Sequence, residues 1–245
     1  MMLPVGILAG GLATRLRPIT EKMPKALIEI GGQPFIVHQL NLLKKNHIER
    51  VVLCVGYLGE MIRDIIGNGH QLGLDVQYSF DGRRLLGTGG ALRKALPLLG
   101  DAFFVLYGDS YLECDYPAVQ RAFEKSGKSA LMTVFRNKNR WDKSNVLFIN
   151  NIVLQYDKEK QTPETKHIDY GLGVFKSAIF RALSEDQPYD LAEIYKDLAS
   201  RGELGGVEVF QRFYEIGSRK GIEEMRRHLE GLVGEKEYDA EVPRA

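Results

Sequence analysis

A glycine pair and four basic residues occur together near the amino terminus. Gly10 and Gly11 follow residues 5–9, a short apolar run that predicts a buried strand ending at a turn. Glycine lets a ligand approach the backbone closely, so peptide N–H groups can converge on an anion. Four cations then follow: Arg15, Arg17, Lys22 and Lys25. Because guanidinium and ammonium groups at this density suit a polyphosphate, the segment predicts a phosphate-binding loop.

The order of residues in this segment narrows the kind of nucleotide-binding loop. It lacks the Gly-Lys-Ser/Thr triplet of a Walker loop, and it is not a Gly-x-Gly-x-x-Gly loop. The run 10–18, followed by Pro24 and Lys25, resembles the signature of the sugar-1-phosphate nucleotidylyltransferases, which make NDP-sugars. The resemblance implies nucleotide-binding residues at Leu8, Gly10 and Gly11 and catalytic residues at Arg15 and Lys25. The alternative is a glycine turn with solvated cations.

A second glycine-containing segment leads into a run rich in Ala and Leu. Residues 87–95 predict a helix whose first turn presents free N–H groups and the positive end of the helix dipole to a ligand. The alternative is an ordinary loop in which glycine avoids crowding. The family resemblance implies that Gly87, Thr88 and Gly89 contact the base and ribose of a nucleotide. It also implies that Asp81 lies near the base edge, where a carboxylate accepts hydrogen bonds from guanine that uracil cannot supply, which favours GTP.

Two acidic residues are candidates for binding a metal ion. Asp109 follows the apolar strand predicted over 102–107, and a buried carboxylate at a strand end needs a neutralising partner, for which Mg²⁺ is usual in nucleotide chemistry. The resemblance implies that Asp109 binds Mg²⁺ and that Glu215, where relatives more often have Asp, is the second ligand. The alternatives are a simple turn aspartate at 109 and a packing segment around 215 in which Ser218 caps the next helix.

The candidate acceptor site comes from the second half of the chain. Lys158 occupies the position where the family carries a lysine that contacts the sugar phosphate, with Lys160 as the alternative because the usual following proline is absent. The resemblance also implies that Asp169 and Gly171 bind sugar hydroxyls. Arg140 lies in a polar, cation-rich segment that is either a solvated approach to a hairpin or a sugar-binding edge.

The order of predicted elements indicates the fold class. Apolar strands, such as 51–55, alternate with amphipathic helices, such as 35–46, so the chain is α/β with helices on both faces of its sheet. We predict a Rossmann-like three-layer sandwich with a mainly parallel mixed sheet, and a short strand at 26–30. We assign residues 1–232 to one nucleotidyltransferase catalytic domain and residues 233–245 to a polar carboxyl-terminal tail.

The composition argues against several other classes of protein. The 245 residues are 44% hydrophobic and 27% charged with a formal net charge of +1, so the overall charge does not draw the chain to nucleic acid or membrane. No apolar run has the length of a membrane helix and no signal-peptide pattern is present, so we expect a cytoplasmic protein. The expected partners are a nucleoside triphosphate and a sugar 1-phosphate, and a homo-oligomer is left open.

The family resemblance covers nearly the whole chain and includes five motifs in the family order. Within the family the chain looks most like the heptose 1-phosphate guanylyltransferase type. This implies that GTP and D-glycero-D-manno-heptose 1-phosphate give GDP-heptose and pyrophosphate, with Mg²⁺ as the cofactor. The alternatives are the same fold acting with UTP or CTP on another phosphorylated acceptor, and a non-catalytic regulatory subunit that binds an NDP-sugar.

Overall fold

Strands and helices alternate along the chain, as the apolar pattern predicts. The computed structural model describes residues 1–137, 143–159, 162–185 and 187–231. The strands in these residues are β1 (Val5–Leu8), β2 (Glu29–Ile30), β3 (Gln33–Pro34), β4 (Arg50–Val55), β5 (Asp75–Phe80), β6 (Ala102–Tyr107), β7 (Ser110–Leu112), β8 (Ala130–Arg136), β9 (Val146–Ile149), β10 (Ile152–Tyr156), β11 (His167–Lys176), β12 (Leu204–Val209) and β13 (Phe213–Glu215). The helices are α1 (Phe35–Lys45), α2 (Gly59–Ile66), α3 (Gly87–Leu99), α4 (Tyr116–Ser126), α5 (Ala178–Arg181), α6 (Leu191–Ser200) and α7 (Arg219–Leu229).

Nine strands form one mixed sheet in the order β5-β4-β1-β6-β11-β8-β12-β10-β9. Strands β5, β4, β1 and β6 pair in parallel, and β8 pairs in parallel with β12. Strand β11 runs antiparallel between β6 and β8, while β10 and β9 extend the far side as antiparallel strands. The first half of the sheet therefore has the parallel arrangement that crossover helices produce, and the second half makes the sheet mixed.

Helices cover both faces of this sheet. On one face α1, α2 and α4 pack over a core in which Ile36 and Ile62 are fully buried. On the other face α3, α5 and α6 pack over a second core that contains Leu92, Phe180 and Leu198. Each helix buries one apolar face against the sheet and leaves its other face to solvent. The predicted Rossmann-like three-layer α/β fold is confirmed.

A smaller third core fixes the short ladder of β7 and β13 beside the main sheet. Helix α7 packs Ile222 and Met225 against Tyr111 of β7 and Tyr214 of β13. The two strands are antiparallel, so residues that follow β6 lie beside residues that precede α7. This ladder brings the acidic segment near residue 215 to the end of the parallel half of the sheet.

One predicted strand is wrong. Residues 26–30 form the end of a 3₁₀ turn and only the two-residue strand β2, which pairs with β3. Gly31 and Gly32 have φ angles of 57° and 79°, and they turn the chain back tightly after β2. Ala26 and Leu27 are buried from within the turn, so the apolar run contributes to the core without joining the main sheet.

Three of the sequence predictions concern residues outside those that the structure describes. These are Lys160, Arg140 and the tail 233–245. The division of the chain into a catalytic domain and a tail therefore stays a prediction. Among the described helices, none combines the length and the apolar character that crossing a membrane requires.

Candidate active site

A cavity of about 230 Å³ lies at the carboxyl ends of β1, β4 and β6. Leu8, Cys54 and Tyr107, which are at or next to the last residues of these strands, line it. Ligands of open α/β sheets bind at this edge. The predicted site residues on its wall are Leu8, Gly10, Gly11, Lys25, Asp81, Gly87, Thr88 and Asp109.

The first glycine loop, residues 10–13, leaves its backbone donors available at the cavity. Gly10 packs against the backbone that follows β4, because a Cβ there would lie 3.0 Å from Gly56 N. Gly11 faces open space, since no atom of the described residues lies within 4 Å of its Cβ position. Within the described part of the chain, no amide of residues 10–13 donates a hydrogen bond. A phosphate-binding loop needs this arrangement, because its N–H groups must remain for the anion.

Lys25 and Asp109 form an ion pair on the cavity wall. Lys25 Nζ and Asp109 Oδ2 are 2.5 Å apart, and the two side chains are 22% and 29% exposed. Lys25 begins the 3₁₀ turn that follows Pro24, and Asp109 lies in the turn between β6 and β7. Because both groups are partly removed from water, their attraction is stronger than that of a surface ion pair. The pair therefore holds a cation and a carboxylate in defined positions beside the glycine loop.

Arg15, the other predicted catalytic cation, does not reach this wall. It is exposed in the 3₁₀ turn Thr14–Leu16 and does not line the cavity. Leu16 is 2% exposed and packs in the core cluster that includes α7. The turn thus places its apolar residue inward and Arg15 on the outer surface. A catalytic role for Arg15 stays a prediction.

Glu215 approaches Asp109 from the ladder of β7 and β13. Ile216 N donates a hydrogen bond to Asp109 O at 2.9 Å, which joins the two segments. The Glu215 carboxylate accepts hydrogen bonds from Gly217 N at 2.6 Å and from Ser218 Oγ at 3.2 Å. A Cβ at Gly217 would overlap the Glu215 carboxylate and lie 3.4 Å from Asp109 Oδ2. Both predicted metal ligands are therefore beside the same backbone position.

These two carboxylates are a donor set that suits Mg²⁺. The ion usually takes one or two protein carboxylates and completes its coordination with water and substrate phosphates. Among the described residues, no group of three or more His, Cys, Asp or Glu side chains could hold a metal ion. Asp109 and Glu215 therefore fit a metal shared with phosphates better than one enclosed by protein. Their role as ligands stays a prediction.

The second glycine segment is covered by another part of the chain. Gly89 N and Gly90 N donate hydrogen bonds to the Tyr189 carbonyl, at 2.8 and 3.4 Å. Gly87 has a φ of 71°, and a Cβ there would lie 2.6 Å from Tyr189 O. The prediction that the first turn of this helix presents free N–H groups is therefore wrong for Gly89 and Gly90. Gly87 lines the cavity, whereas Gly89 does not.

Thr88 lines the cavity and also joins α3 to α6. Its Oγ1 donates a hydrogen bond to Asp190 Oδ1 at 3.1 Å and accepts one from Leu191 N at 2.7 Å. Asp190 Oδ1 also accepts a hydrogen bond from Ala192 N at 2.9 Å and so caps α6. The amino-terminal ends of the two helices are thus bonded to each other, and α6 supports this part of the cavity wall.

Asp81 lies in the cavity wall, where the following loop holds its carboxylate. Asp81 Oδ2 accepts a hydrogen bond from Leu86 N at 3.2 Å, and Lys94 Nζ donates to the Asp81 carbonyl at 3.1 Å. Burial raises the pKa of Asp81, and the Leu86 N–H and the Lys94 charge act in the opposite direction. A carboxylate at this wall can accept hydrogen bonds from a bound base.

Asp169 and Gly171 lie beside the turn that carries Asp109. Strand β11 has a bulge after Asp169, with Gly171 at a φ of 104°, and such bulges redirect side chains. Asp169 accepts a hydrogen bond from Gly171 N at 3.0 Å. A Cβ at Gly171 would lie 3.5 Å from Ser110 Oγ, so this part of β11 contacts the residue next to Asp109.

Lys158 belongs to the same region. Burial raises the pKa of Asp169 to about 6, whereas the Gly171 N–H, the Lys158 charge and the Tyr156 hydroxyl lower it. Lys158 Nζ is 6.0 Å from the centre of the Tyr156 ring, and the Lys158 side chain is exposed. The structure therefore brings together the three residues of the predicted acceptor site.

Two parts of the site were missed by the sequence analysis. Tyr107 lines the cavity, and burial together with the carboxylates of Asp169, Asp190 and Asp109 raises its pKa. The signal for Tyr107 was its place as the last residue of an apolar strand before Gly-Asp. The Tyr189 carbonyl and the Asp190 side chain support the second glycine segment through hydrogen bonds. No local sequence pattern connects residues so far apart in the chain.

An open glycine loop at a strand end, beside a lysine and two converging carboxylates, is an arrangement typical of proteins that bind nucleotide phosphates. The Nucleotidyl transferase family model matches residues 5–204, and the chain belongs to this family, among the sugar-1-phosphate nucleotidylyltransferases.

Two named relatives are guanylyltransferases of different sugar 1-phosphates. The D-glycero-alpha-D-manno-heptose 1-phosphate guanylyltransferase of Campylobacter jejuni is 30% identical over 80% of this chain and 87% of its own length. The mannose-1-phosphate guanylyltransferase catalytic subunit beta of Danio rerio is 28% identical over 87% of this chain, and the match spans only 61% of that relative. HddC of Yersinia pseudotuberculosis has the same fold, with a TM-score of 0.79 at 23% identity over 93% of this chain and 100% of its own.

Proposed function

We propose that this protein transfers a guanylyl group from GTP to a sugar 1-phosphate and releases pyrophosphate, with D-glycero-D-manno-heptose 1-phosphate as the favoured acceptor. The observation that carries the proposal is the Lys25–Asp109 pair on the wall of a cavity that the open loop also lines. A cation, a carboxylate and available backbone amides at one cavity suit the triphosphate of a nucleotide.

In the proposed reaction an oxygen of the sugar phosphate attacks the α-phosphorus of GTP. The new O–P bond forms as the bond to the pyrophosphate oxygen breaks, so no protein nucleophile is required. The amides of residues 10–13 hold the phosphates, and Lys25 neutralises charge on the α-phosphate and the leaving group. Lys158 holds the incoming phosphate in line. Asp109 and Glu215 would hold Mg²⁺, which supplies further charge neutralisation to the phosphates when bound.

The choice of GTP rests on Asp81 and on the relatives. A carboxylate at the cavity wall can accept hydrogen bonds from both guanine N1–H and the N2 amino group, whereas uracil offers only N3–H and has a carbonyl oxygen in place of the amino group. HddC was crystallised in complex with GMP-PN, and the Campylobacter jejuni relative is a guanylyltransferase that acts on a heptose 1-phosphate. A UTP–glucose-1-phosphate uridylyltransferase of Synechocystis is 28% identical to the chain, so UTP is the competing nucleotide.

Pyrophosphate release tests the proposal most directly. Each of the four nucleoside triphosphates is combined with a panel of sugar 1-phosphates, with and without Mg²⁺. We expect GTP with the heptose phosphate to react fastest and EDTA to stop the reaction. Faster release with UTP or CTP would replace the nucleotide assignment. No release with any pair would favour the non-catalytic, NDP-sugar-binding alternative.

Replacement of Lys25 tests the mechanism. We expect Lys25→Ala to lower kcat about 100- to 1,000-fold, the usual loss when one preorganised charge-stabilising group is removed. Lys22→Ala is the matched control, because Lys22 is exposed on the same segment and does not line the cavity. Its kcat should stay within about threefold of wild type, as expected for a solvated surface cation. Equal activity of the two variants would contradict the role of Lys25.

A further inference from the structure

Gln39 is a polar residue on the buried face of α1. It lies at helical spacing from Ile36 and Leu43, which face the core, and it is 1% exposed. Burying an amide is costly unless its donors and acceptor are bonded. Within the described residues Gln39 Oε1 has no hydrogen-bond partner, so its burial depends on its two N–H groups. A polar residue kept in a core at this cost needs an explanation.

The Gln39 side chain is held in the core by hydrogen bonds to two backbone carbonyls. Gln39 Nε2 donates to the Ser110 carbonyl at 2.7 Å and to the Tyr107 carbonyl at 3.0 Å. These carbonyls are on either side of Gly108 and Asp109. One side-chain amide therefore spans the whole turn that carries the candidate metal ligand.

The backbone of this turn is also held from two other directions. Gly108 N donates to Leu8 O at 3.0 Å, and Ile216 N donates to Asp109 O at 2.9 Å. A Cβ at Gly108 would lie 2.6 Å from Leu8 O, so the turn sits directly on the end of β1. Gln39 adds the contact from α1, on the core side.

We propose that Gln39 is a positioning residue, which sets the Asp109 carboxylate against Lys25 by fixing the carbonyls on both sides of the turn. The inference rests on the proposed function only in its catalytic consequence, because the geometric part concerns the turn itself. Loss of the amide should let the turn shift, and small displacements of catalytic groups cost much of the rate. The Gln39 side chain bonds to the Tyr107 and Ser110 carbonyls and not to the loop at 10–13, so nucleotide binding should change little.

Gln39→Leu tests this by removing both donors at similar volume. We expect kcat to fall about 10- to 100-fold while the KM for nucleotide stays within about threefold. Hydrogen–deuterium exchange in the absence of substrate should become faster at residues 107–110. Asn46→Ala is the matched control, since Asn46 is an amide at the carboxyl-terminal cap of the same helix whose side chain bonds, among the described residues, to the Leu42 and Tyr116 backbone only. Asn46→Ala should leave kcat and the exchange rate at residues 107–110 unchanged.

The two readouts separate this inference from the proposed function. If wild type releases no pyrophosphate with any substrate pair, the proposed function fails, and the exchange measurement still decides the role of Gln39. Unchanged exchange at 107–110 in Gln39→Leu would overturn the inference, as would wild-type kcat in an active enzyme. If Gln39→Leu does not fold, Gln39→Asn keeps the donors one methylene too short and should show the same two effects at smaller size.

Discussion

The two glycine-containing segments of the cavity wall have opposite relations to the rest of the molecule. At residues 10–13 the backbone N–H groups make no hydrogen bonds within the described chain, and the Cβ position of Gly11 faces open space. At residues 87–90 the backbone is packed against Tyr189, whose carbonyl accepts hydrogen bonds from two of the amides. Gly11 leaves room in which a ligand could approach the backbone, whereas Gly87 and Gly89 leave room for the backbone at Tyr189.

Glycine thus occurs in these two segments for two different reasons. Both segments resemble ligand-binding loops in sequence, and both contribute to one cavity. In the first, a new side chain would compete with the ligand and leave the fold intact. In the second, a new side chain would compete with the chain near residue 189 and lower stability. Substitutions can therefore test the two roles independently.

The largest effect is expected for Gly11→Asp. A carboxylate placed in the loop repels the phosphates, and like charges brought together at a binding site cost several kcal/mol. We expect kcat/KM for the nucleotide to fall about 100- to 1,000-fold with a melting temperature within about 2 °C of wild type, because the Cβ position is open. Steady-state kinetics and thermal unfolding measure the two quantities. Gly11→Asn controls for size, and wild-type kinetics in Gly11→Asp would show that this loop does not bind the triphosphate.

A loss of stability is expected for Gly87→Ala. The φ of 71° is unfavourable for alanine, and the new Cβ would lie 2.6 Å from Tyr189 O, a backbone atom that cannot easily move. We expect the free energy of unfolding to fall by about 2–4 kcal/mol, measured by denaturant titration. Gly11→Ala is the control and should change it by less than about 0.5 kcal/mol. Similar stabilities for the two alanine variants would remove the distinction between the segments.

The smallest effect is expected for Thr88→Val. The change keeps the shape and removes the hydroxyl that bonds to Asp190 and Leu191 N. The free energy of unfolding should fall by about 1 kcal/mol, because this hydrogen-bonded group is near solvent. Thr88→Ser retains the hydroxyl and should recover most of the loss in the same titration. A Thr88→Val protein as stable as wild type would mean that the bond between α3 and α6 contributes nothing.

Local patterns predicted much of the fold, and the family resemblance supplied the proposed site residues, eight of which line the cavity. The helix predicted at 35–46 is α1, with Asn46 as its cap, because apolar spacing and the preceding proline are local signals. Leu8, Gly10, Lys25 and Asp109 were assigned from the family resemblance. They line one cavity because strand ends and the turns that follow them converge at one edge of a parallel sheet.

The remainder depends on contacts between distant parts of the chain. Thr88 and Asp190 are separated by about a hundred residues, and no sequence pattern near either residue predicts the hydrogen bond between them. The outward position of Arg15 is likewise set by a distant contact, the burial of Leu16 against the core near α7. The insertion of β11 as an antiparallel strand between β6 and β8 also depends on distant contacts, since no short segment of the sequence determines which strands it pairs with.

That insertion has a consequence for synthesis and for fragments of the protein. Strand β6 pairs with β11 on one side, yet the chain must pass through β7, β8, β9 and β10 before β11 is made. Until then β6, which is almost entirely apolar, is an open edge that can pair with other chains. Asp169 and Gly171 of the proposed acceptor site lie on the same strand that covers this edge, so we expect a fragment that ends before β11 to expose β6 and to associate with other chains.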